Sequence, residues 1–268
     1  MKLKISVLLT ILVSISVNAF GQKKAVKPEV VPNKPASVTK LEVTTANKAK
    51  TPTVQEILAK YIKAIGGRTA NEKVKSRSAI GIIELAPMGI KGTFESFAAA
   101  PDKSLIKMSL AGVGEIIEGY DGKTAWSVNP ISGSRDKQGV ELAQSALTYN
   151  FYREINLDKL YQKMELKGVE KVGEDDAYMI VATPGDLPSE TFYFSAKTGL
   201  LVRQDGTSET PEGKMPTKTF FEDFRDVNGV KTPFKSRSIL PQFEVVTVVT
   251  EVKQNIAVDD AKFIKPKV

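Results

Sequence analysis

Ser104 and Lys107 stand at the SxxK spacing of serine acyl-enzymes, a chemistry that places the lysine amine beside the hydroxyl on a helix. Ser104-Leu105-Ile106-Lys107 alternates as a strand instead, so the two side chains leave opposite faces and the match is one of spacing alone. Glu115 and Glu118 fail as a paired acid and base by the same geometry, because residues three apart in an extended segment point away from each other. Glu222, Asp223, Arg225 and Asp226 form a denser cluster. In a strand Asp223 and Arg225 share one face, which makes them a surface ion pair, with contact to a polar ligand group as the other reading. Asp175-Asp176 sits in a turn after Gly173, without the further oxygen ligands that calcium needs. Gly112-Val113-Gly114 is a hairpin turn and not a phosphate cradle, since no helix follows it. The chain has no His and no Cys, which excludes Ser-His-Asp and Cys-His nucleophilic sites, thiolate or imidazole zinc sites and disulfides. No catalytic residue, no metal and no cofactor is expected.

Charge narrows the partners. Nine of the 38 basic residues and two of the 31 acidic residues lie before residue 51, so the remainder carries 29 of each and its net charge is zero. That removes the footprint of a folded nucleic-acid binder. Lys2 and Lys4 precede an apolar and hydroxyl run from Ile5 to Val17, which at about 20 Å is too short for a bilayer core of roughly 30 Å and has the layout of a secretory signal. Residues 1–21 are read as that signal, with cleavage before Gln22 or after Ala19. No cysteine follows it, so attachment through a lipidated N-terminal cysteine is ruled out. Residues 22–50 hold Pro28, Pro32 and Pro35 and no aromatic residue after Phe20. Such a segment buries too little apolar area to offset its ordering entropy, and reads as a disordered basic linker capable of weak contact with anionic lipid.

Residues 51–268 read as one domain, and 41% apolar content over the whole chain suits a real core. Thr53-Val54-Gln55-Glu56 is a capping box that opens a helix with Val54, Ile57, Leu58, Tyr61, Ile62 and Ile65 on one stripe, closed by Gly66-Gly67. A second box, Thr69-Ala70-Asn71-Glu72, predicts a short helix to Val74. From Ser76 the period becomes two, and turn signals recur every eight to twelve residues. Strands are predicted near 77–85, 90–99, 103–110, 113–120 and 123–128. A helix over Val140–Tyr152 and a turn at Leu157–Tyr161 follow, and strands resume near 163–172, 175–183, 189–196, 199–207, 216–226, 230–239 and 243–253. Asn228-Gly229 is the clearest hairpin signal. Residues 175–183 and 243–253 are apolar on both faces, as in a strongly curved sheet with helices on its concave side or in an ordinary sandwich.

Several segments together resemble a known family. Gly92-Thr93-Phe94-Glu95, Ala100-Pro101-Asp102-Lys103 and Gly119-Tyr120-Asp121-Gly122-Lys123-Thr124-Ala125-Trp126 through Asn129-Pro130 resemble the strand ladder of the periplasmic lipoprotein carrier LolA and its relatives. The span from Thr53 to about Ser238, with Tyr193-Phe194, Gly199-Leu200-Leu201-Val202-Arg203 and Phe221-Glu222-Asp223-Phe224-Arg225, is similar to outer-membrane lipoprotein-sorting proteins. The resemblance implies a mainly β protein with α, an incomplete antiparallel β-barrel of about 11–12 strands with helices over its concave face. It also implies an apolar cavity for acyl chains.

The candidate ligand-binding residues follow from that reading. In the strand after Asp121-Gly122, Trp126 and Val128 share the less polar face and are expected to point inward, either into a packed core or along a cavity. Ile57 and Ile62 on the first helix are core or lid, while Val140, Leu147 and Phe151 on the second helix are lid candidates over the cavity mouth. The expected function is non-enzymatic: a monomeric periplasmic carrier or sorter of lipidated protein or lipid cargo, with an acceptor at the outer membrane as a further partner. A scaffold domain of an outer-membrane complex and a carboxylate-dependent envelope hydrolase are the alternatives.

Overall fold

The computed structural model describes residues 51–267; the expected signal and basic linker lie outside the described residues. Helix α1 (Val54–Ala64) begins at the anticipated capping box: Glu56 N–H donates to the Thr53 hydroxyl (3.2 Å) and Thr53 N–H to the Glu56 carboxylate (2.7 Å). Gly66, at φ 104°, turns the chain straight into α2 (Gly67–Lys73). The second capping box is therefore not used, and Thr69 lies inside the helix it was expected to cap. The junction needs glycine for a second reason, since a Cβ on Gly66 would stand 1.9 Å from the Gly229 carbonyl oxygen. Lys231 N–H donates to Ile65 O at 3.1 Å, tying the end of α1 to the Asn228-Gly229 hairpin.

Thirteen strands follow: β1 (Ser76–Ala86), β2 (Ile90–Ala99), β3 (Lys103–Leu110), β4 (Gly114–Tyr120), β5 (Ala125–Asn129), β6 (Gly133–Asp136), then β7 (Lys163–Val172), β8 (Asp175–Thr183), β9 (Glu190–Ser195), β10 (Leu201–Thr210), β11 (Gly213–Val227), β12 (Val230–Ile239) and β13 (Glu244–Gln254). They form one antiparallel sheet in the order β6-β5-β4-β3-β2-β1-β13-β12-β11-β10-β9-β8-β7. Two meanders are thus joined where the first strand pairs with the last, and the sheet does not close: its free edges are β6 and β7. This is the incomplete antiparallel barrel expected. The additional strand is β6, whose Gly-Ser-Arg-Asp sequence has no apolar alternation to betray it and which is held by pairing with β5.

The segment between the two free edges carries α3 (Gly139–Thr148), a 3-10 turn at Arg153–Ile155 and α4 (Leu157–Leu160). Helix α3 stops at Thr148, with Tyr149 as its C-cap, so the expected helix to Tyr152 is cut short. Beyond it Phe151 N–H donates to Pro101 O (2.9 Å), pulling the chain out of helical register.

On the inner face, Ile57, Leu58 and Tyr61 of α1 pack on Ile180, Phe192, Phe194, Leu201 and Phe221 of β8–β11. A second apolar cluster joins Ile83 and Leu85 of β1, Phe94, Met108 and Ile116 to Met215 of β11, Phe234, Phe243 and Val245, across the curvature of the sheet. The two-faced strands β8 and β13 bury Ile180, Ala182, Val245 and Val249 and leave Met179, Val181, Val246 and Val248 half-buried on the other face; other strands carry outer apolar residues in two further ways. On the outer face of β3–β5, Leu105 and Trp126 are covered by the C-terminal segment through Phe263. On β1 the outer Ile80 and Ile82 are simply exposed, at 44% and 53%.

Candidate functional site

Beneath α3 lies a cavity of about 110 Å³, walled by α3, the chain just before it, Arg153 and the inner faces of β10–β12. Its floor is polar because of strand phase. Ser238, buried on the inner face of β12, lines it together with Thr217 and Thr219 of β11. The Thr219 and Ser238 hydroxyls lie 3.0 Å apart.

Two buried ion pairs flank the cavity. Lys137, the residue after β6, is held by its N–H on Ala125 O at 2.8 Å. Its Nζ meets a Glu118 carboxylate oxygen at 2.8 Å, and both side chains are 1% exposed. Glu118 projects inward from β4 in phase with Ile116 and Tyr120, and its other oxygen has no partner among the described residues. On the far side the Arg153 guanidinium donates to Glu190 (2.6 Å) and to the Tyr161 hydroxyl (2.7 Å), and Gln204 donates to the same Glu190 oxygen (3.1 Å). Burial opposes the Arg153 charge, but Tyr161, Glu190 and Glu154 outweigh it and raise its pKa. Between the pairs Tyr149 stacks on Tyr120, with ring centroids 5.7 Å apart. The Tyr149 hydroxyl is buried without a hydrogen-bond partner among the described residues. Burial, followed by the Glu118 and Glu141 charges, pushes it well above the ordinary phenol range.

Polar contacts fasten α3 over the cavity. Arg135 makes paired hydrogen bonds to Glu141 (2.7 and 2.6 Å). The Gln144 amide donates to Thr207 O (2.8 Å) and accepts from Glu209 N–H (2.9 Å), extending the hydrogen bonding of β10. Ser145 is the residue of α3 that is buried. Leu142 and Ala146 are partly buried against Tyr120, Ala125 and Tyr149, and Leu147 against the α1 cluster.

The residues expected to bind ligand stand elsewhere. Trp126 does not point inward. It pairs across the strands with Gly119, where a Cβ would lie 2.3 Å from the indole ring, and its Nε1 donates to Phe263 O at 3.1 Å. Val128 is on the same outer face. The polar set opposite, Ser127 and Asn129, is the buried inner one, so relative polarity misassigned the faces of β5. The Gly119-to-Trp126 motif is accordingly a packing device: Asp121 closes the turn by accepting from Lys123 and Thr124 N–H (2.9 and 2.6 Å), and Gly119 makes room for the indole. Ile57 is core, 3% exposed, and Ile62 packs half-buried beside it. Val140 is exposed, Leu147 is half-buried between α3 and the α1 cluster, and Phe151 packs with Val74 and Val230 with the Arg77 guanidinium 4.5 Å over its ring. None of them lines the cavity. Sequence reasoning missed Glu118, Lys137, Tyr149, Arg153 and Glu190. A signal existed for Glu118, a carboxylate in phase with the apolar Ile116 and Tyr120. Two geometric expectations agree with the structure: Glu115 points out to Lys107, 2.6 Å away, while Glu118 points in, and Asp223 pairs with Arg225.

No protein-family model matches the chain, and no curated protein does. Two of the solved structures similar to it illustrate the likeness. A LolA superfamily protein from Nitrosomonas europaea, 15% identical, aligns over 80% of this chain and 99% of its own with a TM-score of 0.53. A DUF1329 family protein from Desulfovibrio piger, 18% identical, aligns over 80% and 98% with a TM-score of 0.55. At such identities the likeness is one of architecture. An open antiparallel barrel whose free edges are linked by a helical segment, aligned over nearly the whole of a LolA superfamily structure, is a LolA-like fold.

Proposed function

We propose that this chain is a non-enzymatic periplasmic carrier of lipidated protein or other acyl-chain cargo toward the outer membrane, loaded when α3 lifts from the inner face of the barrel. The observation that carries this reading is the way α3 is held. It bridges the open side of the barrel, buries one residue, Ser145, to 7% exposure, and is fastened by the Arg135–Glu141 and Gln144 contacts. Elements held in this way open at low free-energy cost. With α3 in place the cavity of about 110 Å³ is well below the ~300–1,000 Å³ of ordinary ligand pockets, so loading requires the lift. The magnitudes permit it. Burying ten methylenes is worth about 8 kcal/mol, against about 0.5–1.5 kcal/mol for each latch hydrogen bond. Leu142, Ala146 and Leu147, together with the Tyr120, Tyr149 and Phe221 surfaces they approach, supply the apolar lining once parted.

The test is uptake of dioleoyl phosphatidylcholine from vesicles by the full-length chain, quantified on protein separated from the vesicles. Uptake is expected, and Gln144→Ala should accelerate it about tenfold by removing two latch contacts, with faster hydrogen exchange confined to residues 139–148. A second reading, a scaffold domain of an outer-membrane complex, is favoured by the filling of the interior with Phe94, Met108, Phe234 and Phe243. Absence of lipid uptake, with residues 139–148 protected as strongly as β8 and β13, would refute the carrier and leave the scaffold.

A further inference from the structure

The cavity under α3 has a chemical character that an acyl chain does not explain. Its charged lining residues are each matched by an opposite charge: Lys137 by Glu118 (2.8 Å), Arg153 by Glu190 (2.6 Å), Glu141 by Arg135 (2.6 Å) and Glu209 by Lys214 (3.6 Å). A phosphate or ammonium group would have to break one of these pairs, the first of which is deeply buried, and strand a charge without its partner. The rest of the wall is hydroxyl and amide, including Ser145, Thr148, Thr217 and Gln204, with the aromatic rings of Phe221 and Tyr149 beside them. Tyr149 lines the cavity and is 6% exposed, and its buried hydroxyl has no partner among the described residues. A buried hydroxyl in that position carries a desolvation penalty that a ligand hydroxyl would relieve. Apolar rings flanked by convergent hydrogen-bonding groups suit a ligand with carbon-bound hydrogens on its faces and hydroxyls at its rim. The volume of about 110 Å³ equals that of three to four waters at ~30 Å³ each, whose places such hydroxyls can take.

We propose that this cavity binds the hydroxyl rim of a neutral sugar ring, with Tyr149 as the specificity-determining contact. This rests on the carrier reading in one respect only: there, the ring is the headgroup of the lipid cargo. The same chemistry could come from a free sugar.

Full-length protein is offered vesicles containing equal amounts of dioleoyl monoglucosylglycerol and dioleoyl phosphatidylglycerol, and the bound lipid is quantified; methyl glucoside is titrated separately by calorimetry. Preference for the glucosyl lipid of about tenfold is expected, one well-made buried hydrogen bond being worth about that factor. Tyr149→Phe should reduce the preference to less than about threefold, with phosphatidylglycerol uptake unchanged. Uptake of both lipids without preference, or preference for phosphatidylglycerol, overturns the headgroup assignment and leaves the carrier standing. Binding of methyl glucoside without uptake of either lipid supports the polyhydroxyl site with a free sugar as its ligand and overturns the carrier. If neither lipid nor sugar binds, both readings are wrong. The wild-type comparison decides these outcomes even if the variant fails to fold.

Discussion

Replacing Lys137 by Met should destabilise the protein more than almost any other single change beside the cavity. Its Nζ is 2.8 Å from Glu118, both side chains are 1% exposed, and the second Glu118 oxygen already lacks a partner among the described residues. Removing the amine leaves a carboxylate in the barrel interior with neither water nor counter-charge, a situation that typically costs about 3–5 kcal/mol. With a urea m-value near 3 kcal/mol per molar, the unfolding midpoint falls by about 1–1.7 M. Glu118→Leu strands the ammonium instead and should cost a similar amount. The double variant carries no buried charge at this position, and a hydrophobic pair of similar volume should restore stability to within about 1 kcal/mol of the original. The assay is equilibrium urea unfolding of the four proteins, followed by Trp126 emission and by far-ultraviolet circular dichroism, closed as a double-mutant cycle. Trp126 is suited to this because it faces away from the pair, on the outer side of β5. A double variant as unstable as the sum of the singles, or Lys137→Met within 0.5 kcal/mol of the parent, would refute the claim that the two charges depend on each other.

Two further predictions concern other parts of the molecule. Phe263 is 0% exposed and its carbonyl accepts from the Trp126 indole, so Phe263→Ala should cost about 3–5 kcal/mol and shift Trp126 emission to the red; an unchanged spectrum and midpoint would mean that the C-terminal segment does not cover the indole. Burial, reinforced by acidic neighbours, raises the hydroxyls of Tyr61, Tyr149 and Tyr161 above their ordinary range. The unfolded chain then releases those protons first, so stability should be intact below about pH 10 and fall progressively above it; a urea midpoint constant from pH 9 to 11.5 would contradict this.

The strands other than β6, the first helix and the Asn228-Gly229 hairpin were legible in the sequence because each is written in local terms. A period of two, a capping box or a turn dipeptide is complete within a few residues. The joining of the meanders through β1 and β13, and which face of each strand became the interior, were not. All the side chains of β5 except Val128 are buried, so composition could not tell its faces apart. The outer face is dry because residues 258–263, more than a hundred positions away, lie over it. The cavity was hidden for a related reason. Glu118 and Lys137, or Arg153 and Glu190, look like ordinary solvated charges where they stand in the chain. Each becomes a tolerable interior residue when the curved sheet and the segment linking its edges bring it within about 3 Å of its counter-charge, and a buried ion pair is a property of two positions in space that neither position announces alone.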